Sequence, residues 1–163
     1  MIVYLLRHGK AEEHSMDKPD RERRLTDEGV ASMQEEIPGI KKYVERLDAI
    51  LTSPYPRASE TAAIVAEAYG IEPSLKEIDE LAISDAEAAL LAQLRKFPQD
   101  AVVMLVGHSP LLGELAAFLS GSGQAHAIKK GGLCKISFTG KPKADTGSFD
   151  WIFRPKELKD SSS

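Results

Sequence analysis

The sequence contains a single cysteine, Cys134, so no disulfide can form within the chain. It lacks a long apolar run and a basic segment followed by an apolar one, and it therefore predicts neither a membrane-spanning helix nor a secretion signal. Basic residues are not in excess, since 21 Lys and Arg stand against 25 Asp and Glu and the net charge is -4. This balance argues against a nucleic acid or a membrane as partner. We expect a cytoplasmic protein in which any anion site gathers its positive charge locally.

Apolar residues make up 42% of the 163 residues, which is enough for one core of ordinary size. We expect a single domain over residues 1–157 and a flexible C-terminal tail over residues 158–163, "LKDSSS". No internal repeat or long low-complexity tract divides the chain.

Three apolar runs predict buried strands, over residues 2–6, 47–51 and 101–106. Each run is too continuous for a strand with one face in water, and such runs are typical of parallel strands that are covered on both sides. Two further strands are predicted near the C-terminus, over residues 133–138 and 149–153, joined by a turn rich in Gly, Lys and Pro.

Helical patterns separate these strands. Capping and breaking residues indicate four helices: one with Thr26 as N-cap and a break or kink at Pro38, one over Pro56–Tyr69 closed by Gly70, one opened by a capping box over residues 84–87, and one with Ser109 as N-cap and Pro110 in its first turn. The alternation of strand and helix predicts an α/β fold, a three-layer α/β/α sandwich.

Basic side chains follow the three buried strands at the point where each strand ends. The first leads into Arg7 and His8, the second into a loop that carries Arg57, and the third into His108. Ligands of such sheets lie outside the carboxyl ends of the parallel strands. We therefore expect two arginines and two histidines, far apart in sequence, to meet at one edge of the sheet.

These four side chains suit phosphoryl transfer to a histidine. A neutral imidazole is a usable nucleophile near neutral pH, and guanidinium forks match phosphoryl oxygens in a bidentate way. Gly9 and Gly107 allow close approach of the backbone. Any one of these residues alone would be interpreted as a polar group at the rim of the sheet; four of them at three strand ends favour a site.

Three motifs carry a family resemblance: "LLRHGKA", "TSPYPRASETA" and "VGHSP". In this order and at matching strand ends they resemble the histidine phosphatase superfamily, also called phosphoglycerate-mutase-like. The short chain, Ala11 and the segment "LTDEG" are most similar to its SixA-type phosphohistidine phosphatase branch. The resemblance covers residues 1 to about 119 and is weak beyond them.

The resemblance implies a role for each strand-end residue. His8 would be the nucleophile that becomes phosphorylated, and Arg7, Arg57 and His108 would hold the phosphoryl oxygens, with Gly9 beside them in the substrate site. It also implies a mixed, mostly parallel sheet with one antiparallel strand near the C-terminal side. No cofactor and no metal are expected, and the sequence has neither a cysteine cluster nor a His-Glu-x-x-His motif.

A proton donor for the leaving group is harder to assign. Glu80 in "IDELAIS" occupies the place comparable to the family's acid, and its neighbour Asp79 is an alternative. A purely structural role is also open, because acidic residues before a helix are favoured by its dipole. Imidazole is a better leaving group than an alkoxide, so a phosphohistidine substrate places less demand on such an acid.

Three functions are consistent with these residues. The first is a phosphatase that hydrolyses phosphohistidine on a protein; the second acts on small phosphate esters through the same chemistry. The third is a binding module that reads phosphate without turnover. An α/β-hydrolase is rejected because Leu111 stands where its nucleophile elbow needs glycine.

The other polar segments are predicted to lie at the surface of the molecule. Residues 10–24 carry dense mixed charge and are predicted to form a solvated, mobile loop over the site, with docking of a protein substrate as the less favoured reading. His14 and His126 are predicted to be surface residues, and Lys129 and Lys130 to be solubilising or to add positive potential near the site.

Overall fold

The computed structural model describes residues 1–161, and its centre is a mixed six-stranded sheet. The strands are β1 (Ile2–Arg7), β2 (Ala49–Thr52), β3 (Leu75–Glu77), β4 (Val102–Gly107), β5 (Leu133–Ser137) and β6 (Ser148–Phe153), in the spatial order β3-β2-β4-β1-β5-β6. Neighbours from β3 to β1 are parallel, whereas β5 is antiparallel to both β1 and β6. The mostly parallel sheet with one antiparallel strand is therefore confirmed.

Within residues 1–161, five α-helices cover the two faces of this sheet: α1 (Asp27–Tyr43), α2 (Pro56–Tyr69), α3 (Glu87–Leu94), α4 (Leu111–Ser120) and α5 (Pro155–Asp160). Alternate residues of β1 and β4 belong to two separate hydrophobic clusters, one packed with α3 and α4 and the other with α1, α2 and α5. This alternation gives the predicted three layers, and it explains why both strands are apolar at consecutive positions. Within residues 1–161, every helix is too short or too polar to cross a bilayer.

Helix α1 corrects the predicted break at Pro38. The helix is continuous from Asp27 to Tyr43 with Pro38 inside it, and Thr26 caps it by accepting from the Gly29 N–H. Pro38 and Gln34 are both exposed, so the carbonyl that loses its hydrogen-bond donor is in contact with water. The helix therefore passes the proline without a break.

The C-terminal tail is also shorter than predicted. Residues 155–160 form helix α5, and Leu158 is fully buried in the cluster that contains α1. A side chain at Gly39 would overlap the Leu158 carbonyl, so the glycine permits the close approach of α1 and α5. Apolar packing therefore holds a segment that its polar composition indicated as tail; Ser162 and Ser163 lie outside the described residues.

Two helices begin later than predicted. Asp85 has a φ of 58°, so the capping box at Ser84 does not form and α3 begins at Glu87. Helix α4 begins at Leu111 after a cis Ser109–Pro110 bond, with Pro110 rather than Ser109 in the N-cap position. The residues that were predicted to open these two helices instead precede them, and they line the edge of the sheet where the predicted site lies.

Glu36 in α1 is a buried carboxyl whose two oxygens have no hydrogen-bond partner among residues 1–161. Burial raises its pKa from the ordinary value of 4.5 to about 8. The folded protein therefore holds a proton that the unfolded chain releases, so the free energy of unfolding falls as the pH rises between these two values.

We expect Glu36→Gln, which replaces a neutral carboxyl by a neutral amide of similar shape, to raise stability by an amount that grows as the pH rises from 4.5 to about 8. The gain should be about 4 to 5 kcal/mol at about pH 9 and below about 1 kcal/mol at about pH 5. Urea unfolding of both proteins at the two pH values measures it. An equal gain at both would contradict the titration of Glu36.

Candidate active site

The carboxyl ends of β1, β2 and β4 bring the predicted residues together. Arg7 ends β1 and His8 follows it, Arg57 lies in the first turn of α2, and His108 follows β4. All four line a cavity of about 540 Å³, which we call the anion cavity. The convergence predicted from the sequence is therefore present in the structure.

His8 is fixed in orientation by its own backbone and by its neighbour. Its N–H donates to the Gly107 carbonyl, and its ring Nδ1 lies 2.7 Å from the Gly9 carbonyl oxygen. A carbonyl only accepts, so Nδ1 carries the hydrogen and Nε2 keeps its lone pair. Burial, together with the positive charge of the neighbouring basic groups, lowers the His8 pKa to about 3. The imidazole is therefore neutral at neutral pH.

The two arginines offer donors that the protein does not use. Arg7 Nη1 donates to the Ile128 carbonyl at 3.0 Å, and Arg57 donates to the carbonyl and the carboxylate of Asp20 at 2.8 and 3.2 Å. The Nε of each arginine is buried and has no partner among residues 1–161. Buried donors without a partner are costly, so both guanidinium groups are suited to an acceptor that enters the cavity.

His108 stands beside His8, with 5.2 Å between the ring centroids. Its Nε2 is 2.8 Å from the Ser53 hydroxyl, which already accepts from the Tyr55 N–H, so the hydroxyl hydrogen can be donated to the histidine. In that arrangement His108 Nδ1, which is buried without a partner among the described residues, is a further donor for a ligand. Burial and the charge of Arg57 lower the His108 pKa to about 4.

Gly9 does not line the anion cavity, in contrast to its predicted place in the substrate site. Its N–H donates to the Thr61 hydroxyl, which in turn donates to the Arg57 carbonyl. A Cβ at this position would lie 2.9 Å from Met33 Cγ. Gly9 therefore packs β1 against α1 and α2 and acts on the site through His8, whose ring it holds.

The charged loop over residues 10–24 adds cavity residues that the sequence did not single out. Arg23, whose side chain is only 13% exposed, lines the anion cavity. Outside the loop, Lys130 also lines this cavity, in agreement with the predicted alternative that it adds positive potential near the site. The loop is bound to α2 by ion pairs of Asp20 with Arg57 and of Arg24 with Glu60. The predicted solvated loop is thus partly anchored. In a run of mixed charge, the sequence does not indicate which charged side chain turns inward.

Glu80 is not brought to the other four residues. It lies in a 3-10 turn over Asp79–Ala82, where its carboxylate accepts from Gln93 Nε2 at 2.7 Å. Of the cavities at this edge of the sheet over residues 1–161, neither is lined by Glu80 or by its neighbour Asp79. The turn directs Glu80 towards α3, so the structure does not support Glu80 as the proton donor.

A second cavity of about 390 Å³, which we call the side cavity, adjoins the first. The two share three residues, Arg57, His108 and Ser109. The side cavity is lined by apolar and polar side chains, among them the carboxylates of Asp85 and Glu114. With Glu87, these form a group whose oxygens all lie within 4.8 Å, the spacing of a possible metal site, although exposed acidic groups also gather without a metal.

The cysteine and the two remaining histidines differ in burial. Cys134 is buried in β5, and burial raises its pKa to about 12. His14 is exposed and lies 3.3 Å from Asp20. His126 is half-buried and stacks on Phe149 with 4.1 Å between the rings, so its prediction as a surface residue is wrong.

Comparison with known proteins agrees with this geometry. The sequence model described as Histidine phosphatase superfamily (branch 1) matches residues 3–103, more than half of the chain. The phosphohistidine phosphatase SixA homolog of Haemophilus influenzae is 36% identical over 132 residues, covering 74% of this chain and 78% of that protein. Phosphohistidine phosphatase SixA of Escherichia coli is 25% identical over 162 residues, covering 98% and 97%.

A solved structure shares the whole fold. The protein histidine phosphatase SixA complexed with tungstate superposes with a TM-score of 0.82 at 25% identity, covering 97% of this chain and 99% of that one. The matches confirm the resemblance that the three motifs predicted, down to its SixA-type branch. The chain therefore belongs to the histidine phosphatase superfamily.

Proposed function

We propose that the protein is a phosphatase that hydrolyses phosphohistidine on a protein through a covalent phospho-His8 intermediate, without a metal cofactor. The observation that carries the proposal is the fixed tautomer of His8. Its Nδ1 hydrogen is held by the Gly9 carbonyl, and Nε2 has a free lone pair in a cavity that it shares with Arg7, Arg57 and His108. A neutral, oriented imidazole among unsatisfied cationic donors suits attack on a phosphoryl group.

The reaction has two displacements at phosphorus. First, the Nε2 lone pair of His8 forms an N–P bond while the bond from phosphorus to the substrate nitrogen breaks, and that electron pair leaves with the substrate imidazole. Then water attacks the phosphoryl group on His8, a P–O bond forms while the N–P bond breaks, the electron pair returns to Nε2, and the inorganic phosphate that leaves carries the protons of the water or releases one to the solvent. Arg7, Arg57 and His108 hold the oxygens on which negative charge is spread in both steps.

Two considerations favour a protein-bound phosphohistidine as substrate. The relatives in Haemophilus influenzae and Escherichia coli are named as phosphohistidine phosphatases. In addition, the acid predicted for ester leaving groups, Glu80, is engaged with Gln93 away from the cavities. A site without that acid suits a nitrogen leaving group better than an alkoxide.

The test compares substrates on the same protein preparation, in the presence of a metal chelator. We expect kcat/KM for a phosphohistidine-bearing protein to exceed that for p-nitrophenyl phosphate by about tenfold or more, and phosphate release to persist with the chelator. Faster turnover of small phosphate esters would instead assign the site to that substrate class. Binding of the phosphoprotein without phosphate release would identify a phosphate-reading module.

A further inference from the structure

The side cavity adjoins the anion cavity but excludes the nucleophile. His8 lines the anion cavity alone, whereas Arg57, His108 and Ser109 line both. Arg57 is 6% exposed, and its Nε has no partner among residues 1–161. An acceptor group, such as a phosphoryl group, is therefore expected at the junction of the two cavities.

An in-line displacement places the leaving group opposite the attacking atom. With His8 Nε2 on the side of the anion cavity and the phosphoryl group at the junction, the leaving group extends into the side cavity. The walls there suit a flat ring, because they are formed by Tyr55, Leu81, Pro110 and Leu111. The Tyr55 ring lies 5.2 Å from that of His108.

Acidic as well as apolar side chains line the side cavity. Asp85 and Glu114 line it, and their carboxylate oxygens lie within 4.8 Å of each other and of Glu87. Over residues 1–161, none of the three carboxylates forms an ion pair with a basic side chain. Two carboxylates, Asp85 and Glu114, and one guanidinium, Arg57, line this cavity, so its lining is net negative and favours a cationic ring over an anionic leaving group.

We infer that Asp85 and Glu114 make the site selective for a substrate in which phosphorus is bonded to a cationic ring, the protonated imidazole of a phosphohistidine side chain. The inference rests on the proposed function and names the residues that read its substrate. A phosphohistidine ring with phosphorus on one nitrogen and a proton on the other is positively charged. Either carboxylate can accept a hydrogen bond from that N–H, which favours this protonated form.

The protonated ring also accounts for the proton balance of the first step. When His8 Nε2 forms its bond to phosphorus, the substrate N–P bond breaks and the electron pair stays on the departing nitrogen. The ring leaves as neutral imidazole and keeps the proton that it already carried on its other nitrogen. No side chain has to supply a proton, in agreement with the position of Glu80 outside the cavities.

The test is a substrate ratio measured on Asp85→Asn, Glu114→Gln and the double variant. The two substrates are a phosphohistidine-bearing protein and p-nitrophenyl phosphate, whose leaving group develops negative charge. In the double variant we expect kcat/KM to fall about tenfold for phosphohistidine and to rise about threefold for p-nitrophenyl phosphate. Glu67→Gln is the matched control, because it removes one exposed carboxylate from the far end of α2.

The outcomes separate this inference from the proposed function. An unchanged ratio of the two kcat/KM values, whether both fall together or neither moves, would overturn the selectivity assigned to Asp85 and Glu114 while leaving the His8 chemistry intact. A wild-type protein that cleaves p-nitrophenyl phosphate but not phosphohistidine would overturn the proposed substrate, and the inference with it. If Glu67→Gln shifts the ratio of the two kcat/KM values by a similar amount, the effect comes from the net charge of the protein, and the assignment to Asp85 and Glu114 is overturned.

Discussion

His8→Ala is expected to abolish phosphate release from every substrate, with kcat reduced by about 10⁴-fold or more. The loss is large because both displacements pass through His8 Nε2, and within the described residues no other group occupies its place. Two other imidazoles line the anion cavity: His108 has its Nε2 engaged with the Ser53 hydroxyl, and the exposed His14 lies 3.3 Å from Asp20. Removing His8 therefore leaves the oxygen-binding groups without a nucleophile.

The same variant tests the covalent intermediate directly. Wild-type protein quenched during turnover of a substrate labelled in its phosphoryl group should retain the label, whereas His8→Ala should retain none. His126→Gln is the control, because that ring stacks on Phe149 outside both cavities. Equal label on the wild type and His8→Ala would place the phosphoryl group on another residue and remove the nucleophile assignment.

The lowered pKa of His8 gives this reaction an expected pH dependence. A folded-state pKa of about 3 keeps the imidazole of the free protein neutral throughout the range in which an ordinary histidine titrates. The acid limb of kcat/KM that an unperturbed histidine nucleophile would give near about pH 6.5 should therefore be absent. The burial that lowers the pKa makes the nucleophile available over a wider pH range.

The core and the nucleophile's position follow from the sequence because they depend on local pattern and on sheet topology. The apolar residues of β1 and β4 predict parallel strands that are buried on both sides. The rule that ligands lie at the carboxyl ends of such strands then brings together Arg7, Arg57 and His108 around His8. No contact between distant side chains has to be known for this step.

The side cavity and the other lining residues of the anion cavity depend on tertiary geometry, which the sequence pattern does not contain. Asp85 has a positive φ and lies before α3, and from this position it lines the side cavity. The sequence predicted instead that Ser84 caps the helix, which would place Asp85 in its first turn. Arg23 lines the anion cavity from a loop of dense mixed charge, and the sequence does not indicate which charged side chain of that loop turns inward. The placement of Glu80 outside the two cavities also depends on a tertiary contact, because its partner Gln93 comes from the next helix.

Arg7→Lys is expected to lower kcat/KM by about 10²- to 10³-fold although the positive charge is kept. In the wild type, Nη1 is held by the Ile128 carbonyl at 3.0 Å, which sets the plane of the guanidinium and leaves Nε without a protein partner. A lysine offers one compact ammonium group, which cannot bind the Ile128 carbonyl and two phosphoryl oxygens in the same fixed plane. The measurement is kcat/KM for both substrates, with inhibition by inorganic phosphate as a readout of oxygen binding.

The control for Arg7→Lys is Arg21→Lys, the same chemical change at an exposed position that lines neither cavity. Activity of Arg7→Lys within about twofold of the wild type would show that charge alone suffices, and it would contradict the role given to the fork. A large loss with unchanged inhibition by phosphate would indicate that Arg7 acts only in the transition state. In both cases the role of Arg7 can be distinguished from that of His8. A phospho-His8 intermediate should still form in Arg7→Lys, although slowly, and it should still be trapped by quenching.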